Sequence, residues 1–147
     1  MVYALADGDF DLKNWMLMKR IRMIEEAIAD RYPQGKMRCP THLSIGQELP
    51  SSILSIVSSR ADFMVSGHRA HAHYLAKGGC LNALIAELYG KESGCCFGVG
   101  GSMHLIDKSV NFSGSSAIVG NIIPVGVGLA YGARQKPGNA WTFICFG

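Results

Sequence analysis

A chain of 147 residues, 48% hydrophobic and 17% charged, is long enough for one globular domain, and so low a charged fraction implies a face that is buried or covered by a partner. The formal charge of +3 argues against a nucleic-acid stripe, because the densest basic group, Lys19, Arg20 and Arg22, lies in a helical pattern followed by Glu25 and Glu26, as on an ordinary solvated helix face. Five cysteines (Cys39, Cys80, Cys95, Cys96, Cys145) form an odd set without Cys-x-x-Cys spacing or a cleavable signal before them, which points away from disulfides and zinc and toward reduced thiols in a cytoplasmic compartment.

The first predicted element is a long amphipathic helix over Leu12 to Tyr32, with Leu17, Ile21, Ile24 and Ile28 on one stripe and Pro33 closing it. A loop carrying His42 follows. Ser44-Ile45-Gly46-Gln47 then has the Ser-x-x-Gln form of a capping box ahead of the apolar segment Leu49 to Val57, where Pro50 is tolerable in the first turn. "ADFMVSG" reads as a short buried strand that delivers "HRAHAHYLAKGG" into a loop or the start of a helix. A helix over Leu81 to Tyr89 ends at Gly90 in a left-handed cap. "KESGCCFGVGGSMHLID" is too rich in glycine for regular structure, and "NFSGSSAIVGNIIP" leads into a helix from about Ile123 to Gln135. The longest apolar run, Ala117 to Ala133, is interrupted by Asn121 and Pro124 and reads as core, not as a membrane span. After a Pro137-Gly138-Asn139 turn, Trp141 to Phe146 has the pattern of a strand buried on both faces. Alternating helices and buried strands predict an α/β fold with a mostly parallel sheet flanked by helices.

Ligands in such folds bind beyond the carboxyl ends of the strands, which draws attention to His68, Arg69, His71 and His73. A metal reading uses the three histidines, but Arg69 sets a fixed positive charge beside the ion and no carboxylate completes a familiar set. An anion reading suits the residues better, since Arg offers a planar fork of donors to phosphate oxygens and His adds a hydrogen bond or a proton. In a third, structural reading Arg69 is a surface ion-pair member and the histidines satisfy loop carbonyls. "GVGGSMH" lacks the third glycine and the preceding strand of a dinucleotide fingerprint, so it is either a surface loop or a backbone lying close to a ligand or another chain. "SSAIVGNIIP" is either a turn entering a helix or a set of main-chain groups bracketing a flat polar ring.

Taken in order, "THLSIGQE", "SGHRAHAHYLAKGG", "AELYGKESGC", "GVGGSMHL", "SSAIVGNIIPVGVGLA" and "FICFG" resemble the alpha subunits of thiamine diphosphate-dependent 2-oxo acid dehydrogenases of the pyruvate and acetoin type, from about Leu12 to Gly147. The resemblance implies that residues 1–147 are the N-terminal, diphosphate-side half of a thiamine diphosphate-binding domain, a single incomplete domain. It implies Arg69 on the diphosphate, with His68 where the family has an aromatic, and Ala117, Ile118 and Val119 giving main-chain contacts to the aminopyrimidine, Ala117 replacing the more usual glycine. His42 and His71 would line the active-site channel and move protons or assist acyl transfer. Ser102 and His104 lie in a motif near the cofactor without an assigned step. Gly147 would open a Gly-Asp-Gly motif whose Asp, with a later Asn, holds Mg2+, so the metal ligands are expected outside this chain. The implied activity is decarboxylation of a pyruvate-like 2-oxo acid, or cleavage of acetoin, with acyl transfer to a lipoyl group. The implied partners are a complementary C-terminal-half chain, a beta-type subunit that supplies the activating Glu, and a lipoyl acyltransferase, with neither nucleic acid nor membrane. A non-catalytic assembly or binding module that keeps the fold without turnover is the alternative.

Overall fold

The computed structural model describes residues 7–146. Helix α1 (Asp7–Arg31) begins before the expected Leu12 and runs into a 3-10 turn, Tyr32–Gln34, which Pro33 enters and Gly35 ends at φ 67°. The expected stripe is the buried one, with Ile21 and Ile28 in two neighbouring apolar clusters and Ile24 packed against both. Helix α2 (Glu48–Val57) lies against α1.

The capping box does not form. Gln47 is the cap residue without a side-chain cap bond, and the Ser44 hydroxyl donates to the Arg69 carbonyl instead. Glu48 takes over the helix start: its carboxylate accepts the Gly46 N–H at 2.9 Å and a two-pronged bond from Arg22, Nε to Oε1 at 2.6 Å and Nη2 to Oε2 at 3.1 Å. A carboxylate in the first turn complements the helix dipole, and this one also ties α2 to α1.

Strand β1 (Phe63–Ser66) is the centre of a parallel sheet in the order β2-β1-β3, where β2 is Phe112–Ser115 and β3 is Thr142–Cys145. Val65 stands opposite Gly114 on one side and Ile144 on the other. β2 was not expected, because Phe-Ser-Gly-Ser has only one apolar residue. Phe112 holds it by packing edge-to-face on Tyr74, ring centroids 5.6 Å apart. The expectation that the last strand is buried on both faces needs correction: β3 lies at the sheet edge, all four of its residues are half-buried, and Trp141 and Phe146 beside it are exposed.

Helices α3 (His71–Ala76) and α4 (Leu81–Leu88) follow β1. Gly90 takes φ 63° beyond α4, as its sequence position suggested. The core joins Ile21, Met64, Tyr74, Leu84, Leu105 and Phe112. The buried Tyr74 ring sits against Gly79 so closely that a Cβ there would overlap it, while its hydroxyl donates to Asp107 and accepts the Cys80 N–H. Helix α5 (Ile122–Arg134) crosses between β2 and β3 in the chain and meets the sheet at Gly126, whose missing side chain makes room for Ile144 and Val65. The other helical glycines, Gly128 and Gly132, have open space beside them, and Val125, Val127 and Tyr131 point outward. Among the described residues no helix is long and apolar enough to cross a membrane, and all five cysteines are free.

Candidate active site at the carboxyl edge of the sheet

Because the three strands are parallel, their carboxyl ends share one edge. Gly67 N–H donates to Cys145 O at 2.8 Å and Ser116 N–H to Ser66 O at 3.2 Å, so the segments leaving β1, β2 and β3 are stitched together there. His68 and Arg69 leave β1, and Ala117, Ile118 and Val119 leave β2 and lead into α5 through Gly120 at φ 80°. Ala117 is not among the residues with positive φ, so this position makes no conformational demand for the glycine of the resemblance.

His42 joins the same edge from the loop before α2. Its ring stands edge-on to His68, centroids 4.8 Å apart, and its buried Nδ1 has no hydrogen-bond partner. Arg69 is exposed; its Nη1 donates to Leu43 O at 2.6 Å, which leaves further guanidinium donors facing outward. The local field is positive. Burial, together with the positive charge of Arg69 close by, pushes His42 below the ordinary histidine range. A neutral imidazole with an unpartnered nitrogen can accept or relay a proton near neutral pH.

The four residues of the basic cluster do not act as one group. His71 is fully buried, with Nδ1 3.3 Å from Glu25 Oε2 and Nε2 2.8 Å from Ser102 Oγ. His73 faces Ser66 Oγ at 2.9 Å. The imidazoles of His68, His71 and His73 therefore do not converge, against the metal reading. Among the described residues, the one group of three potential metal ligands within reach of one another is Glu87, Cys95 and Cys96. Its chemistry is poor for a cation. Both Glu87 oxygens are already bonded, and burial pushes Cys95 up to about 12 and Cys96 in the same direction, so the thiols stay protonated.

Glu87 instead organises the glycine-rich segment. From the buried face of α4 its Oε2 accepts the N–H groups of Cys96 (2.7 Å) and Gly98 (2.9 Å), and its Oε1 those of Gly100 (2.7 Å) and Gly101 (3.1 Å). Backbone can wrap a carboxylate so tightly only where side chains are absent: a Cβ on Gly94 would collide with Glu87, one on Gly98 with Gly90 and Lys91, and one on Gly100 with His104. The loop so shaped presents Ser102, fully buried, whose Oγ accepts the His42 N–H at 3.3 Å, while the His104 side chain points to solvent. Glu25 is a correction to the expected solvated helix face: it is fully buried, because its partner His71 lies 46 positions further on and nothing beside it in α1 signals that. Glu87 stands singly in α4, and its partners lie 9 to 14 positions later in the glycine-rich segment. Gly147 lies outside the described residues.

The histidines have a consequence for stability. His73, like His42, is lowered by burial. As pH falls through the ordinary histidine value near 6.5, the unfolded rings take up protons that the folded rings resist, so the unfolded state binds more protons and stability declines. Thermal unfolding between pH 8 and pH 5 is expected to show a falling midpoint below about 6.5, with a shallower fall for His73→Gln.

The donors at this edge suit a diphosphate: a guanidinium with unused N–H groups and an adjacent histidine, while the orphaned His42 Nδ1 is a polar atom awaiting a partner; in the segment leaving β2 the Ile118 N–H is already taken by Ser116 Oγ at 3.2 Å. An apolar groove between α1 and α4, about 400 Å³ and lined by Ile28, Arg31, Met37 and Ile85 among others, contains no histidine or carboxylate and does not compete for that role.

The family model described as "Dehydrogenase E1 component" matches residues 16–147. A pyruvate dehydrogenase E1 component subunit alpha of Rickettsia bellii is 38% identical over 135 residues, covering 92% of this chain and 40% of the relative. The chloroplastic subunit alpha-3 of Oryza sativa is 41% identical over 115 residues, 78% of this chain and 27% of the relative. A mitochondrial subunit alpha of Chaetomium thermophilum is 35% identical over 127 residues, 86% and 30% respectively. The chain thus spans well under half the length of these relatives. With a family match that takes in every strand and all of the sheet-edge residues through Phe146, this chain belongs to the dehydrogenase E1 component family.

Proposed function

We propose that this chain is the diphosphate-side part of an alpha-type subunit of a thiamine diphosphate-dependent 2-oxo acid dehydrogenase, acting on pyruvate or a similar 2-oxo acid. The observation that carries the reading is the meeting of Arg69, with unused donors, and His42, with an orphaned Nδ1, at the carboxyl edge of a parallel sheet. Arg69 binds the diphosphate oxygens, and His68 adds a donor from the same turn. The main chain of Ala117, Ile118 and Val119 orients the aminopyrimidine. When bound, the cofactor supplies the electron sink for loss of the carboxylate. His42, held neutral by burial, takes up or returns a proton beside it, and His71 acts on the site from behind, through Ser102. Mg2+, where the cofactor carries it, would take its ligands from residues other than those placed at this edge, and would neutralise diphosphate charge there.

A beta-type subunit completes the site, and the acyl group passes to a lipoyl carrier; acetoin cleavage is the variant outcome on an acyloin substrate. The exposed apolar face of α5 (Val125, Val127, Tyr131) accords with a subunit that works in an assembly. It equally suits a non-catalytic module, and turnover separates the two. The full-length subunit, reconstituted with a beta-type subunit and titrated with thiamine diphosphate and Mg2+, is expected to bind the cofactor stoichiometrically and release carbon dioxide from pyruvate in the presence of an artificial electron acceptor. Saturable cofactor binding without turnover on any 2-oxo acid or acyloin would favour the module.

A further inference from the structure

Glu25, His71 and Ser102 are each buried to 0% exposure and form an unbroken polar line from α1 through the start of α3 to the glycine-rich loop. The line ends at the cleft, because Ser102 Oγ accepts the backbone N–H of His42 at 3.3 Å. At the other end Glu25 Oε1 has no partner. A Ser–His–Glu series suggests a hydrolase, but nothing reaches a fully buried hydroxyl, and the nearby Gly100 and Gly101 N–H groups are spent on Glu87.

We propose that Glu25 is a positioning residue for the site described above, so this inference rests on the proposed function: it holds His71 in the Nδ1–H tautomer and, through Ser102, fixes the place of His42 in the cleft. The direction of each bond follows from the one before. An ionised carboxylate only accepts, so Nδ1 of His71 must carry the proton; a neutral imidazole then has a bare Nε2, which accepts the Ser102 O–H. The lone pairs of Oγ are thereby left for the His42 N–H. Arg69 is held separately, its Nη1 donating to Leu43 O and its carbonyl accepting Ser44 Oγ, so the line bears on His42 and not on the diphosphate contact. A buried carboxylate with one empty oxygen is costly, and an apolar residue would fill the same space without that cost, so packing alone does not account for it.

The test uses the full-length alpha-type chain, ¹⁵N-labelled at histidine and reassembled with its unlabelled beta-type partner. The wild type is expected to show an imidazole protonated at Nδ1 and bare at Nε2, a signature that Glu25→Asp keeps and Glu25→Gln changes. Glu25→Gln should lower kcat about tenfold while half-saturation by thiamine diphosphate stays within about threefold. The double variant Glu25→Gln/Ser102→Ala should be no slower than Ser102→Ala, since both cut one line. A doubly protonated imidazole at this site, a signal indifferent to Glu25→Gln, or losses that multiply in the double variant would overturn the proposal. Should Glu25→Gln fail to assemble, Ser102→Ala decides: its Nε2 resonance moves if the line exists and stays if it does not. Absence of cofactor-dependent turnover defeats the proposed function, and the imidazole signature still judges the line by itself.

Discussion

Glu87→Gln is expected to destabilise the protein by about 3 kcal/mol, because buried donors left unpaired cost roughly 1–3 kcal/mol each. The isosteric amide keeps one carbonyl oxygen for two of the four N–H groups that Glu87 accepts from Cys96, Gly98, Gly100 and Gly101. Its NH2 then faces the other two donors with nothing to accept. No rotation of the side chain repairs this, since both carboxylate oxygens are in use. This chain spans about 40% of a relative such as that of Rickettsia bellii, and for a subunit of that length the loss corresponds to a fall in the unfolding midpoint of about 4 °C. Calorimetry on the full-length subunit checks the magnitude, and amide hydrogen exchange checks the place, with protection lost first at Gly98, Gly100 and Gly101. Glu92→Gln, at an exposed position close by, is the control and should leave both unchanged. A melting curve for Glu87→Gln that overlays the wild type would show that the loop holds its shape by other means.

Arg69→Ala in the assembled enzyme is expected to raise the thiamine diphosphate concentration needed for half-maximal activity by about a hundredfold, the equivalent of the 1.5–3 kcal/mol that a charge-assisted hydrogen bond contributes. At saturating cofactor kcat should fall by less than about threefold, because in the proposed function the guanidinium contacts a part of the cofactor where no bond changes. Arg69→Lys should recover only part of the affinity: a point charge replaces a planar fork, and the bond to Leu43 O is lost as well. The wild-type affinity should also weaken with added salt more steeply than that of Arg69→Ala. Unchanged cofactor affinity in Arg69→Ala would remove Arg69 from the diphosphate.

Where the pattern is local, the sequence was readable. The apolar stripe of α1 repeats every three or four residues, and that spacing survives into the core at Ile21, Ile24 and Ile28. "FMVS" announces β1 because a central strand must be apolar on both faces. Where the determinant is distant, it was not. β2 exists because Phe112 finds Tyr74, 38 positions earlier, and nothing in Phe-Ser-Gly-Ser itself signals a strand. Ser44 fits a capping rule, yet its hydroxyl goes to Arg69, a competitor 25 residues away. The position of the basic cluster at the end of β1 was legible, but its internal division was hidden. Helical geometry begins at His71 and turns that ring inward to Glu25, 46 positions distant, while His68 and Arg69 remain at the edge.

The seating of the Tyr74 ring on Gly79 bears on how this protein can vary over evolutionary time. An aromatic at 74 forbids any side chain at 79, and its hydroxyl fastens the Cys80 amide and Asp107 together, so the ring cannot be shrunk without loosening two further segments. These positions form one packed unit: descendants are expected to keep the tyrosine–glycine pair whole or to exchange both members in a single lineage, and chains carrying a bulky residue at 79 beneath an intact ring should be missing from the natural record.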